Sequence, residues 1–245
     1  MDRIKSAKHI AAFSIVLPAV AMLVWPSSVW LLVLFMLWFA AAAAIWICSE
    51  RREHKKQLAL TIHSLQAAGM RTLNHHRHDW MNDLQVLYGY TRMQKPDKTV
   101  EYVEKIRAKM LTESQISKLG EPALVSYIQG FRTLTSSLEL KVDIEQDLNL
   151  VELPLAGTEI AEALIGIMNG YRLAVKPGFG EVAVLTLALD WDGQQLHVAF
   201  DLEGELIDEQ QLKDQIKQQL KGATLQAVDI EHPQEEIRLK AEKRA

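Results

Sequence analysis

Between Leu73 and Gln85 the chain reads LNHHRHDWMNDLQ, which sets three of its eight histidines, His75, His76 and His78, within four positions. Three chemistries are open to such a cluster. A metal site would use His75 and His78 as an i, i+3 pair, but zinc asks for three or four ligands and no carboxylate or cysteine shares their face. A solvated helix face would use the histidines for nothing. A nucleophilic histidine would attack phosphorus in line and form a phosphoramidate, and it would have to be reachable from outside.

Helical geometry separates the three histidines. Leu73, Trp80, Leu84 and Leu87 recur at the spacing of a bundle seam. Arg71, Asn74, His75, His78, Asn82 and Gln85 form the opposing polar stripe. His78 is therefore expected to project into solvent, with Asn82 one turn along on the same face. Asp79 lies about 100° around the helix, and His76 on another side. In the nucleophilic reading Asp79 orients the imidazole or holds its proton, and Asn82 hydrogen-bonds a phosphoryl oxygen or a water. His75 shares the face without a clear task.

The elements that must position these residues can be read around them. From Glu50 to about Gln94 there is no proline, and Gly69 and Gly89 are the only glycines. This predicts one long helix. Lys95, Pro96 and Asp97 form a turn, because proline cannot continue a helix. A second helix is expected over about Thr99 to Lys118, ended by Gly120 and Pro122. A two-helix hairpin of this length buries too little apolar surface to stand alone. It has to dock elsewhere or dimerise into a four-helix bundle, and the homodimeric bundle is the preferred solution.

Beyond Pro122 the pattern changes. Ala123 to Leu138 reads as helix, LELKVDIEQ as a strand and Glu159 to Val175 as a helix. EVAVLTLALD and QLHVAFDLEG form a hairpin around Asp192 and Gly193. Ile207 to Leu220 reads as helix, and the remainder as one or two strands. The expected layout is an α+β sandwich, helices against one sheet.

Before the hairpin the chain is of another kind. Residues from Ile10 to Cys48 contain no charged side chain. Ile10 to Trp25 and Val29 to Cys48 are two apolar runs, set against the roughly 20 residues that span a bilayer core. Trp25 and Trp30 flank the short turn between them, as tryptophan does at headgroup level. Arg3, Lys5 and Lys8 precede the first run and Arg51, Arg52, Lys55 and Lys56 follow the second. The positive-inside rule then places both flanks in the cytoplasm, giving a two-pass anchor in the cell membrane with both termini and the soluble part cytoplasmic. A cleaved signal peptide fits the basic start but not a second full span directly behind it. Residues 1–9 and 49–56 each carry +2, so the rest of the chain carries −8 within a net charge of −4. That balance argues against nucleic acid as a partner. The single cysteine, Cys48, allows no internal disulfide.

The stretch RHDWMNDLQVLYGY, Arg77 to Tyr90, resembles the phosphorylation-site helix of the sporulation initiation phosphotransferase B family. It is also similar to the helical hairpins of citrate-type sensor histidine kinases. The shared pattern is R-H-D-aromatic-x-N-x-L with a glycine further on, here Gly89. The resemblance implies that His78 is the phosphoacceptor, with Asp79 and Asn82 as its catalytic neighbours.

A kinase of this kind carries a nucleotide domain with an asparagine-bearing helix, an Asp-x-Gly-x-Gly turn and a glycine-rich lid. Here Asn169 could match one asparagine, but Ile165 stands four residues earlier. DLEGE, Asp201 to Glu205, resembles the aspartate turn with one glycine lost, and after Glu205 the only glycine is Gly222. The parts that would grip ATP phosphates are therefore missing or degraded.

The expectation is a two-span membrane hairpin over 1–49, a dimerising phosphotransfer hairpin over 50–120, and over 121–245 an α+β domain resembling a degenerate histidine-kinase ATPase domain. The activity that the resemblance implies is transfer in a phosphorelay in the initiation of sporulation. His78 would take a phosphoryl group from the aspartate of one response-regulator receiver domain and pass it to another. Mg²⁺ would come from the partner receiver, and no ATP is expected. Two alternatives stand beside it: a sensor histidine kinase with a divergent ATP site, and a non-catalytic scaffold that binds receivers.

Overall fold

The computed structural model describes residues 29–145, 147–177 and 182–242. The chain forms two compact units, Met1–Ala67 and Ala68–Ala245. Helix α1, Val29–Arg92, is continuous over 64 residues. In the first unit Leu37, Phe39, Ile45 and Ile47 of α1 are all exposed, while Ala42 is buried. Among the described residues α1 is the one helix long and apolar enough to cross a membrane. The first apolar run, Ile10 to Trp25, lies outside the described residues.

In the second unit α1 ends on a Schellman turn. The Gln94 N–H donates to Thr91 O and the Lys95 N–H to Tyr90 O, each at 3.1 Å. That geometry needs a left-handed residue after the helix, and Gln94 supplies it at φ 54° in place of the usual glycine. Pro96 then opens α2, Pro96–Lys118, as its first residue. The expected start at Thr99 was late because proline suits the first helical position, where its missing N–H would have no partner. Tyr102 holds the two helices together. Its ring meets Tyr90 edge-on at 6.0 Å, and its hydroxyl donates to Asp83 Oδ1 at 2.9 Å. That bond, to a carboxylate, raises the Tyr102 phenol above its ordinary range.

The far end of α2 is not free. Ile116 and Leu119 are buried in the same core as the sheet. Gln115 Nε2 donates to Ile144 O at 2.9 Å, and the Leu150 N–H to Leu119 O at 3.0 Å. Gly120 turns the chain at φ 81°, where a Cβ would also collide with the Asn149 side chain. The hairpin is thus docked at its base on the α+β part.

Helix α3, Pro122–Gly130, is shorter than the expected helix from Ala123 to Leu138. It tightens into a 3₁₀ turn, Phe131–Thr133, and stops. The Thr133 hydroxyl donates to Gly130 O and the Ser137 N–H to the Thr135 hydroxyl, local bonds that compete with a continuing helix. Strand β1 is Leu138–Ile144, α4 is Gly157–Ala174, β2 is Ala183–Trp191 and β3 is Gln195–Glu203. Helix α5, Glu209–Leu220, and strands β4, Gln226–His232, and β5, Glu236–Glu242, complete the unit. The sheet order is β1-β2-β3-β5-β4. β1 and β2 are parallel, joined through α4, and the other pairs are antiparallel.

Alternation builds the two layers. Leu185, Leu187 and Leu189 of β2, Val198 and Phe200 of β3, and Ile237 and Leu239 of β5 are buried. They meet Ile160, Leu164, Ile167 and Met168 of α4 and Leu212 and Ile216 of α5 in one core. The Asp192 carboxylate closes the β2–β3 turn, accepting from the Gln194 and Gln195 N–H groups at 2.8 and 2.7 Å. Those bonds, with His197, pull its carboxyl down to about 2.

Replacing Gln94 by glycine removes the left-handed strain at the α1–α2 turn. We expect Gln94→Gly to stabilise the fold by about 1 kcal/mol, read by chemical denaturation; an equal or lower midpoint would contradict that turn geometry.

Candidate functional site

His78 stands on the outer surface of α1, its side chain 71% exposed. Asn82 Nδ2 lies one turn along, 3.2 Å from His78 Nδ1. In that arrangement the amide donates to Nδ1 and the ring proton sits on Nε2. Turned over, the same amide presents its oxygen, keeps the proton on Nδ1 and leaves Nε2 with its lone pair. The polar stripe read from the sequence therefore brings His78 and Asn82 into direct contact.

Asp79 is placed differently from its neighbour, at 17% side-chain exposure. Its Oδ1 is 3.9 Å from His78 Nδ1, beyond hydrogen-bond reach. Its closest partner is Arg132 of the 3₁₀ turn, whose Nη1 donates to Asp79 Oδ2 at 3.0 Å. Lys109 Nζ of α2 lies 3.8 Å from both Asp79 and Asp83. His75 also turns inward: its Nε2 is buried and lies 3.9 Å from Asp79 Oδ2. The residues around His78 thus form two groups. His78 and Asn82 face outward, while Asp79, Lys109, Arg132, Asp83 and His75 form an ion cluster joining α1, α2 and the 3₁₀ turn.

Sequence periodicity did not find Lys109 or Arg132. Lys109 comes from the other helix of the hairpin, and Arg132 is 53 residues away along the chain. Only their positive charge, set against two carboxylates a turn apart, hinted at them.

Among the described residues little covers the apolar seam of α1. Leu73, Trp80 and Leu84 are exposed, at 66%, 52% and 61%, and only Leu87 of that stripe is half-buried. Among the described residues no group of three or more His, Cys, Asp or Glu is placed to hold a metal ion.

The positions compared with a nucleotide site have local partners. Asn169 Oδ1 accepts from Arg172 Nε at 2.9 Å and from the Tyr127 hydroxyl at 3.4 Å. Asp201 is exposed on β3, and Ile165 is half-buried on α4. The segment after β3 is stitched to the end of α4. The Lys176 N–H donates to Glu205 O at 2.9 Å and the Ile207 N–H to Ala174 O at 2.8 Å. Asp208 then caps α5, accepting from the Gln211 N–H at 2.9 Å.

The helical hairpin that bears the exposed histidine is thus followed by an α+β domain. Residues 60–119 match the family model for the alpha-helical domain of SpoOB-type sensor kinases, and this places the helical hairpin in that family, the one the Arg77–Tyr90 motif resembles. The chain is 26% identical over 136 residues to sporulation initiation phosphotransferase B of Bacillus subtilis (strain 168), covering 56% of this chain and 70% of that protein. Among solved structures, the histidine kinase AdeS of Acinetobacter baumannii overlaps 69% of this chain and 98% of its own, at 11% identity and a TM-score of 0.34. The catalytic domain of the histidine kinase ThkA overlaps 53% of this chain and 90% of its own, at 12% identity and a TM-score of 0.35. Superpositions this loose lend no weight to any activity.

If the ion cluster is a structural joint, Asp79 and Arg132 must be coupled. A double-mutant cycle of Asp79→Ala and Arg132→Ala should give a coupling of about 1 kcal/mol in unfolding free energy. Strictly additive losses would show that the two side chains do not act on one another in solution.

Proposed function

We propose that this chain is a membrane-anchored phosphorelay phosphotransferase that works through His78. The observation that carries the reading is an exposed imidazole in contact with an amide one turn away, within a SpoOB-type helical domain. The kinship with a sporulation phosphotransferase supports a transferase of the phosphorelay class and a place in the initiation of sporulation. Response-regulator receiver domains are the proposed partners.

The chemistry follows from the site. The His78 lone pair attacks the phosphorus of an aspartyl phosphate on a docked receiver. A P–N bond forms, the P–O bond breaks, and the receiver's aspartate leaves as a carboxylate. With its amide turned over so that the oxygen accepts from Nδ1–H, Asn82 leaves the Nε2 lone pair free to attack and holds the ring in place. The same step runs backward onto the aspartate of a second receiver. Mg²⁺ brought by the receiver would neutralise charge on the transferring group, since among the described residues no group of three or more His, Cys, Asp or Glu is placed to hold a metal ion. Asp79 contributes through the ion cluster that fixes this turn of α1. ATP is not proposed as a donor, since Asn169 has structural partners and the sequence supplies no glycine-rich lid.

The second apolar run anchors the chain in the cell membrane, and the first run, outside the described residues, completes a two-pass anchor with both flanks cytoplasmic. The exposed seam of Leu73, Trp80 and Leu84 is proposed to meet its copy in a homodimeric four-helix bundle.

Mixing the purified chain with a phosphorylated receiver, without nucleotide, should transfer label to the chain. His78→Ala should abolish that transfer, and Asn82→Ala should slow it about 10- to 100-fold with little change in receiver affinity. Labelling from ATP alone would instead mark a kinase, and receiver binding without labelling a scaffold. The bundle predicts a dimer that Leu84→Asp dissociates, seen by light scattering; a monomeric parent would remove it from the account.

A further inference from the structure

Arg132 reaches the His78 turn from outside the helical hairpin. Its backbone belongs to the 3₁₀ turn led by Phe131, which is fully buried in the α+β core. Its side chain is 53% exposed, so the guanidinium is held at one end and free to turn at the other. In the unmodified chain it lies on Asp79 Oδ2 at 3.0 Å, while Asp79 Oδ1 faces His78 Nδ1 at 3.9 Å. One carboxylate therefore stands between the histidine and the arginine.

A phosphoryl group on His78 would change the balance at this point. It adds between one and two negative charges next to a carboxylate that is mostly removed from water, and like charges so placed repel. Among the described residues, Arg132 from the 3₁₀ turn, Lys109 from α2 and His75 from α1 face that carboxylate besides His78, and Lys109 also meets Asp83, which accepts from the Tyr102 hydroxyl. Lys109 lies between Asp79 and Asp83, 3.8 Å from each, and would stay with them. Arg132 has only Asp79 as an ionic partner among the described residues, and its planar fork suits two acceptors at once.

We propose that Arg132 is a positioning residue that responds to the phosphorylation of His78, holding Asp79 alone in the free state and bridging Asp79 to the phosphoryl oxygens in the modified state. The proposal rests on the reading of His78 as the phosphoacceptor. Its consequence is that phosphorylation fastens the α+β domain, through the 3₁₀ turn, to the helix turn that a receiver must approach. The joint and the reactive group then share one cation.

The test uses the full chain in detergent and a small donor, phosphoramidate, which needs neither receiver nor nucleotide. The imidazole lone pair attacks the donor's phosphorus, the donor's P–N bond breaks, and the ring proton leaves with the amine as ammonia. The phosphorus-31 resonance of phospho-His78 is identified as the one lost in His78→Gln, and it is followed against pH. The second ionisation of the phosphoryl group should fall about one pH unit lower in the parent than in Arg132→Gln, with Arg132→Lys between them. Should Arg132→Gln fail to fold, the parent against Arg132→Lys carries the comparison, because a point charge cannot make the fork. A merely structural arginine would lower the melting temperature and leave the titration of the phosphoryl group unchanged, and that result overturns the proposal while leaving His78 as phosphoacceptor. If other histidines are modified and no resonance disappears in His78→Gln, the phosphoacceptor reading falls and this proposal with it.

Discussion

Two residues that follow one another on a helix point about 100° apart, and at His78 and Asp79 this turn separates reaction from support. His78 is left in solvent, where another protein can reach it. Asp79 is turned inward, where Arg132 and Lys109 hold it. A single residue could not meet both needs, because a nucleophile must be accessible and a joint must be shielded. The rest of the second unit is arranged around that division. The hairpin supplies Lys109, the 3₁₀ turn supplies Arg132, and the buried ends of α2 and α3 fix where those two cations emerge.

The α+β domain has the makings of a support. Helices α4 and α5 meet through small residues: a Cβ on Gly166 would run into the Gln219 side chain, and one on Gly170 would press on Leu212. α4 and α5 can therefore approach closely and share one core above the sheet. The segment between β3 and α5 is short and hydrogen-bonded to the end of α4 at both of its ends. Asn169, on the inner helix, ties α4 to α3 through Tyr127 and holds Arg172, which in turn reaches the Leu134 carbonyl beyond the 3₁₀ turn. These contacts lead toward Arg132 and make the domain a brace for the hairpin.

How much of this could be read beforehand depends on the range of the interaction. The pairing of His78 with Asn82 was legible, because helical periodicity alone puts them one turn apart. So was the β2–β3 turn, where Asp192 and Gly193 carry the chemistry of the turn in their own types. The separate role of Asp79 was not legible: its partners come from another helix and from a turn 53 residues away, and periodicity carries no information about either. The left-handed Gln94 was hidden because glycine, the usual mark of that conformation, is absent. The early stop of α3 was written in Thr133 and Thr135, whose hydroxyls engage the backbone at Gly130 and Ser137, but the apolar spacing to Leu138 masked it. The docking of Ile116 and Leu119 was hidden in the same way, since a buried helix end and a bundle seam share one apolar pattern.

The central claim is that the exposed histidine, and not its neighbours, carries a phosphoryl group received from a protein. Incubation of the full chain with a phosphorylated receiver in the absence of nucleotide, followed by residue-level mass spectrometry of the Leu73 to Gln85 segment, tests it most directly. The account predicts one phosphoryl group per chain, located on His78. A phosphoryl group found on His75 or His76, or one that appears only when ATP is added, would contradict it.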